Sequence, residues 1–329
     1  MSVELLQERL ARYKSATSEE ELMAVREVTQ ELVLAALARG DFFSRASFQG
    51  GTCLRIAYGI KRFSEDLDFA LRLPDPDFSW ASYGKGIQEE LAAYGYKLEL
   101  KDGGGEADRA VKRMFVKDDA VTKSLGFEHL GKAGVTRKLL IKLEADTNPP
   151  AGAWYTRSEM TFPYRIPLVT DDPPTLFSGK LAALLSRPYE KGRDWYDFLW
   201  NTGRGTAVNL PFLEASLDQC GPWKGQHVKV DATWLVEQLT ERIDGIEWTP
   251  MKKDIRRFVQ ADEREAVEAW TEKQFHTAAS TLDEKRLLRR PSQDRINRKI
   301  DRSGRQESHS LSLFTLPTLF SCPSCSSVE

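Results

Sequence analysis

No run of apolar residues in the chain approaches the roughly 20 residues that a transmembrane helix requires. The first residues, MSVELLQERLARYK, lack the apolar core of a secretory signal. Cysteine is scarce, with four in 329 residues, and the one CxxC pair (Cys322 and Cys325) has no second Cys or His pair nearby to complete a structural zinc site. We therefore predict a cytoplasmic protein without a membrane segment.

Neither sign of charge dominates the chain, because 47 Lys and Arg residues are balanced by 49 Asp and Glu residues. Hydrophobic residues make up 41% and charged residues 29%, which excludes fibrous, collagen-like and wholly disordered proteins. Residues 285–305 are an exception, with nine basic and two acidic side chains. Such a stretch suits a polyanion partner, but helical periodicity is lost after Pro291, which favours a solvated tail.

The periodicity of apolar residues divides the chain into three parts. In the first forty residues it predicts two helices, the second ending at Gly40, and over 47–169 it predicts short strands mixed with helices. Beyond the turn at 171–174 the pattern is helical, with the main candidates at 175–186, 194–201, 232–243 and 263–275. We predict an α+β fold with a mixed sheet and flanking helices in 1–170, a helical domain in 171–285 and a basic, disordered tail in 286–329.

A glycine turn precedes a short apolar helix at Gly50, Gly51 and Thr52. Glycines let the backbone approach a ligand closely, and a helix N-terminus offers free N–H groups to an anion such as triphosphate. Taken alone, this pattern is more often a simple turn.

Two acids lie on one face of the strand predicted at 66–73. Asp66 and Asp68 are about 7 Å apart along a strand and point the same way, with Leu67 and Phe69 on the opposite face. Paired carboxylates suit Mg²⁺, which prefers carboxylate oxygens together with nucleotide phosphates. The alternative is an exposed strand face that carries two acids.

A third carboxylate is expected from the strand predicted at 138–145. Ile141 and Leu143 share one face, and Lys142 and Glu144 share the other. Glu144 is therefore a candidate to share the metal or to take a proton from an attacking hydroxyl. Alternation also allows Asp146, and a plain surface face is the alternative.

The helical half contains a further charged cluster. Lys180 lies in a helix with an apolar face, and Asp194 and Asp197 are three residues apart in the next helix, which Arg193 and Asp194 open. A lysine and an arginine near a phosphate site would neutralise developing charge. The alternatives are a solvated helix face, or Asp194 as an N-terminal cap.

These motifs together resemble the AbiEii/AbiGii toxin family of the DNA-polymerase-β-like nucleotidyltransferase superfamily. The resemblance covers residues 45–200 and implies a nucleotidyltransferase-like sheet. It rests on Gly50-Gly51-Thr52, Leu54-Arg55, Arg62, Ser64-Glu65-Asp66-Leu67-Asp68-Phe69, Lys180 and Arg193-Asp194-Trp195-Tyr196-Asp197.

The resemblance implies an enzyme that uses an NTP and Mg²⁺ to transfer a nucleoside monophosphate to the 3′ end of tRNA, opposed by a separately encoded antitoxin. It implies that Asp66 and Asp68 bind metal, that Lys180 contacts phosphates and that Asp194, or alternatively Asp197, is the late acid. The nucleotide-binding set that it implies is Gly50, Gly51, Thr52, Arg55 and Ser64.

Two alternatives stay open. The same site would also suit a protein or small-molecule acceptor, or the fold would serve as a non-catalytic nucleotide-binding module. RNA contact would come from basic side chains near the site, and the alternative is scattered surface charge. The candidates are Lys112, Arg113, Lys117, Arg187, Lys191 and Arg193.

Overall fold

Seven strands form one mixed sheet in the computed structural model, which describes residues 2–102, 110–118 and 139–289. Their order across the sheet is β3-β4-β5-β2-β1-β7-β6, where β2 and β5 are parallel, as are β1 and β7, and the other neighbours are antiparallel. The strands are β1 (Ala46–Gln49), β2 (Leu67–Leu71), β3 (Leu98–Asp102), β4 (Val111–Asp118), β5 (Leu139–Asp146), β6 (Tyr155–Met160) and β7 (Ile166–Asp171).

Among the described residues, four helices belong to the sheet half of the chain. The first two helices lie within the first forty residues, where two helices were predicted. Thr17 caps the second helix, because its hydroxyl accepts from the N–H of Glu20 at 3.2 Å. That helix ends at Gly40, as predicted. The four helices are α1 (Ser2–Ala11), α2 (Ser18–Arg39), α3 (Gly50–Tyr58) and α4 (Ala81–Ala92).

The C-terminal half is helical, and the α+β prediction is confirmed. The prediction of a single helix at 263–275 is wrong, because one helix ends at Glu268 and a new helix follows it. Thr271 caps the new helix by accepting from the N–H of Gln274. The helices are α5 (Pro173–Ser186), α6 (Gly192–Gly203), α7 (Leu210–Gln219), α8 (Ala232–Asp244), α9 (Trp248–Arg256), α10 (Ala261–Glu268) and α11 (Glu272–Ala279).

The ordered structure continues past the predicted start of the tail. Leu287–Leu288 (β9) pairs in parallel with Val208–Asn209 (β8), and Arg289 donates to the carbonyl of Val230 at 3.1 Å. Residues 290–329, including Cys322 and Cys325, lie outside the described residues, as does residue 138 at the start of a predicted strand.

The loop between α3 and β2 joins the two halves. The N–H of Phe63 donates to the carbonyl of Phe258 at 2.7 Å, and Lys61 contacts Glu263 at 2.5 Å. Buried side chains from both halves form one continuous core. Within the described residues, none of the helices has the length and hydropathy to span a bilayer.

Gly192 allows α6 to pack closely on α9. A Cβ built at Gly192 would lie 2.3 Å from the carbonyl oxygen of Met251, whereas one at Gly203, in the same helix, meets nothing within 4 Å. We expect Gly192→Ala to lower the free energy of unfolding by about 1–3 kcal/mol, because backbone atoms must separate. Gly203→Ala is the matched control, and equal thermal stability of the two variants would contradict the prediction.

Candidate active site

The turn from β1 into α3 brings the backbone against Asp68. Gly50 has φ +76°, and a Cβ there would lie 2.2 Å from Oδ2 of Asp68. A Cβ at Gly51 would lie 2.7 Å from Nη2 of Arg62 and 2.9 Å from Oγ of Ser64. Both positions therefore require glycine, and the first N–H groups of α3 are available to an anion beside these side chains.

Register places two carboxylates directly opposite each other on neighbouring strands. Asp68 on β2 pairs with Glu144 on the parallel strand β5 and, on its other side, with Gln49 on β1. Glu144 pairs with Arg113 on β4, whose Nε donates to Oε1 of Glu144 at 2.7 Å. Like charges opposed across strands are unfavourable. This row of side chains therefore favours a cation beside Asp68.

The pKa values of Asp68 and Asp66 reflect the same crowding of carboxylates. Burial, together with the charges of Asp66 and Glu144, raises the pKa of Asp68 to about 7. Burial also raises the pKa of Asp66, in part offset by Lys142. A bound cation would favour the ionised forms of both groups and so lower both pKa values.

Lys180 is held by two buried carboxylates of α6. Its Nζ lies 2.9 Å from Oδ2 of Asp197 and 3.3 Å from Oδ1 of Asp194. Arg62 binds Asp197 with two hydrogen bonds of 2.5 Å, and Arg187 ion-pairs with the other oxygen of Asp194. Burial alone would raise the pKa of Asp194, but Arg187 and Lys180 lower it well below its usual range.

Apart from Asp197, these groups line one cavity of about 300 Å³ between the sheet and α5, which we call the groove. Its walls carry six carboxylates and seven cationic side chains, so they suit a ligand with concentrated negative charge and a metal. The acids are Asp66, Asp68, Glu144, Asp146, Asp171 and Asp194, and the bases are Arg62, Arg113, Lys142, Lys180, Arg187, Lys191 and Arg193.

The groove brings together most of the site residues predicted from sequence, namely Gly50, Gly51, Ser64, Asp66, Asp68, Glu144, Lys180 and Asp194. Among the basic candidates, Arg113, Arg187, Lys191 and Arg193 line it, whereas Lys112 and Lys117 do not. Glu144 also ion-pairs with Lys142 at 2.8 Å, so the surface-face alternative describes part of its environment.

Two residues of the predicted nucleotide-binding set do not line the groove, and neither does Asp197, the alternative late acid. Thr52 is fully buried, and its hydroxyl donates to the carbonyl of Asp66, which ties α3 to the start of β2. Arg55 donates from Nε to Glu27 at 2.8 Å and from Nη1 to the carbonyl of Ile60 at 3.1 Å. Both side chains support the loop that carries the site instead of facing a ligand.

Four residues of the groove were not predicted individually from sequence, namely Arg62, Gln49, Asp171 and Phe212. Arg62 lay within the quoted motif, but its partner Asp197 is 135 residues away and only the fold joins them. Asp171 belonged to a segment interpreted as a turn, although it is the buried last residue of β7. No sequence signal distinguished Gln49 or Phe212.

A separate group of possible metal ligands lies on the surface. Asp244, Glu272 and His276 place one ligand atom each within 4.8 Å of one another, and Nε2 of His276 lies 3.0 Å from Asp244. None of the three lines the groove, and the contact between His276 and Asp244 links α11 to α8.

The Arg62–Asp197 pair is almost inaccessible to solvent, with side-chain exposures of 1% and 0%. Removing one partner of a buried pair leaves the other charge uncompensated. We expect Asp197→Asn to lower the free energy of unfolding by about 3–5 kcal/mol. The double variant Arg62→Met, Asp197→Leu should recover most of that loss in denaturant titrations. An Asp197→Asn variant as stable as wild type would contradict the prediction.

The buried carboxylate of Asp171 should make the free energy of unfolding depend on pH. Its carboxylate is buried, Oδ1 has no hydrogen-bond partner among the residues that the structure describes, and burial raises its pKa from 3.8 to about 7. The folded state therefore keeps a proton that the unfolded state loses near pH 4, and this stabilisation disappears as pH rises from 4 to 7. We expect Asp171→Asn to be more stable than wild type at pH 8, by on the order of 2–4 kcal/mol, and to lose that advantage at pH 4. A pH-independent difference in thermal stability would refute this.

Two solved structures match the chain at low sequence identity. JHP933 from Helicobacter pylori is 15% identical, with a TM-score of 0.49 over 82% of this chain and 94% of that chain. The MenT4 nucleotidyltransferase toxin from Mycobacterium tuberculosis H37Rv is 16% identical, with a TM-score of 0.45 over 84% of this chain and 99% of that chain. A comparison with curated protein sequences finds no significant match.

A family comparison confirms the resemblance that the glycine turn and the paired aspartates carry. The sequence model described as "Nucleotidyl transferase AbiEii toxin, Type IV TA system" matches residues 32–278, which is most of the chain and includes every groove residue named above. The chain therefore belongs to the AbiEii nucleotidyltransferase toxin family of type IV toxin–antitoxin systems.

Proposed function

We propose that the protein transfers a nucleoside monophosphate from an NTP to a hydroxyl at the 3′ end of tRNA, with Mg²⁺ bound at Asp66 and Asp68. One arrangement carries this proposal: the two aspartates line the same groove as the turn at Gly50 and Gly51 and as Lys180. The groove thus combines metal ligands, a phosphate-binding turn and a phosphate-neutralising cation.

The residues present fit a hard divalent cation. Burial raises the pKa of both Asp66 and Asp68, and Glu144 lies opposite Asp68 on the adjacent strand, so three carboxylates converge where a positive charge is favoured. Asp66 and Asp68 would hold Mg²⁺, with Glu144 as the third acid. When bound, the ion supplies positive charge to phosphate oxygens.

The other residues of the groove have separate roles in the reaction. The acceptor oxygen attacks the α-phosphorus, the bond from that phosphorus to the bridging oxygen breaks, and pyrophosphate leaves. Lys180, Arg187 and the N–H groups at Gly51 would neutralise the phosphates as this charge develops. The proton of the acceptor hydroxyl passes to Glu144, which Arg113 and Lys142 hold beside Asp68.

Membership of a type IV toxin–antitoxin family implies a nucleotide substrate and an antitoxin partner. The cationic side chains of the groove support tRNA as the acceptor. Arg113, Lys191 and Arg193 line the groove in addition to the residues assigned to the triphosphate. Basic side chains beside the reacting hydroxyl would bind the phosphates of an RNA acceptor.

The test is a transfer assay with Mg²⁺, total tRNA and each α-labelled NTP in turn. We expect label on tRNA, and a loss of at least roughly a thousandfold in the Asp66→Asn, Asp68→Asn variant because the metal carboxylates are removed. The matched control is Asp41→Asn, Asp77→Asn, which makes the same change at two exposed positions outside the groove.

Prior periodate oxidation of the tRNA identifies the position of transfer. This treatment destroys the terminal diol, so label that disappears supports transfer to the 3′ end and label that persists contradicts it. Label on protein or on a small molecule would replace tRNA as the acceptor. Folded wild-type protein that labels nothing with Mg²⁺ or Mn²⁺ would overturn the proposal.

A further inference from the structure

The groove is too small to hold more than the end of a nucleic acid. Its volume of about 300 Å³ is that of a site for one small molecule, whereas an RNA acceptor carries a phosphate at every nucleotide. The proposed reaction therefore takes only the reacting end of the RNA into the groove, and the rest of its backbone lies on the protein surface. That surface should be cationic and should begin at a residue of the groove.

Arg193, near the start of α6, connects the groove to such a surface. It lines the groove, and its guanidinium carbon lies 4.3 Å from the centre of the Phe258 ring. The guanidinium carbon of Arg257, which is outside the groove, lies 4.6 Å from the centre of the same ring. One fully buried ring thus joins a cation of the groove to a cation beyond it.

The packing of α9 on α6 fixes the position of Arg257. A Cβ at Gly192 would lie 2.3 Å from the carbonyl oxygen of Met251 and 3.0 Å from Cβ of Ile255, so the two helices are in close contact. Oδ2 of Asp254 accepts from the N–H of Gly192 at 2.9 Å. Helix α9 is therefore held beside the residue that precedes Arg193 in the chain.

The side of α9 that faces away from α6 is cationic. Met251 and Ile255 are buried, whereas Lys253, Arg256 and Arg257 are exposed. Residues three and four apart lie on the same side of a helix, so these three cations form one surface, which we call the α9 face. The one acid within α9 is Asp254, which is bonded to Gly192.

The cations of the α9 face are only weakly compensated. Arg256 lies 3.6 Å from Glu268, and Arg257 lies 3.7 Å from Asp254. Surface ion pairs of this kind contribute little free energy, so a phosphate can displace them. Lys253 forms no ion pair with any residue that the structure describes.

We propose that the α9 face binds the sugar–phosphate backbone of the RNA acceptor where it leaves the groove at Arg193. The inference rests on the proposed function, which places the reacting end of the RNA in the groove. Charge complementarity supports it, because three exposed cations continue the cationic lining of the groove across Phe258. Contacts to phosphates position an RNA without reading its sequence, so the α9 face should bind tRNAs alike.

The variant Lys253→Gln, Arg257→Gln tests the proposal, because it removes two charges of the α9 face and no residue of the groove. We expect the Kd for total tRNA, measured by filter binding, to rise by roughly tenfold. The slope of log K against log salt concentration should become shallower by roughly 1.5, since each lost phosphate contact removes about 0.7–0.9. The KM for tRNA should rise as well, whereas the KM for NTP should not change.

The matched control is Lys85→Gln, Arg165→Gln, which removes two exposed cations of the sheet half that lie outside the groove. Each of them also forms a surface ion pair, with Glu89 and Glu159. We expect its Kd for tRNA to stay within about twofold of wild type. A loss equal to that of the α9 variant would show an effect of total charge and would overturn the proposal.

Arg257→Lys separates charge from packing, because it keeps the cation and removes the planar guanidinium over Phe258. We expect this variant to bind tRNA with nearly the affinity of wild type. A loss as large as that of Arg257→Gln would give Arg257 a structural role on Phe258 and would contradict a phosphate contact. Thermal melts show whether each variant is folded.

The two proposals fail in different ways. Wild type that transfers no nucleotide to any acceptor defeats the proposed function, and the binding measurement still tests the α9 face. Wild type that labels tRNA, while the folded Lys253→Gln, Arg257→Gln variant keeps the Kd and salt dependence of wild type, overturns the α9 face alone. Wild type that does not bind tRNA also overturns it.

Discussion

The buried ion pair between Arg62 and Asp197 connects the two walls of the groove. Arg62 belongs to the loop between α3 and β2, and Asp197 belongs to α6 of the helical half. Because neither charge is accessible to water, each requires the other, and the two halves can close only in the arrangement that satisfies both. The turn at Gly51 packs directly on this guanidinium, so the position of the turn depends on the same pair.

Lys180 depends on the pair as well. Arg62 binds both oxygens of Asp197, and Lys180 contacts one of them at 2.9 Å, so Asp197 orients the lysine toward Asp68. Asp194 balances it from the other side while also holding Arg187. The two acids of α6 thus have one shared task, which is to keep cations over the sheet. The two candidates for the late acid differ in their contacts, because Asp194 lines the groove and Asp197 does not.

Local pattern was sufficient to predict the parts of the site that lie on single elements. Alternation identified Asp66 and Asp68, and the same two-residue period placed Glu144 and Asp146 on one face of β5. It did not foresee that Thr52 and Arg55 turn inward, because their partners Asp66 and Glu27 come from other elements. The break between α10 and α11 was missed because apolar spacing continues across Trp270 and gives no sign that Thr271 caps a new helix.

Lys180 and Arg187 already have anionic partners before any nucleotide arrives. An anion that bound these two cations would compete with Asp194 and Asp197 for them, so its binding would be an exchange of counter-ions within the protein. The net gain is the difference between two sets of ion pairs, which is smaller than the attraction of unpaired cations would be. That difference favours reversible occupancy of the groove by an anion.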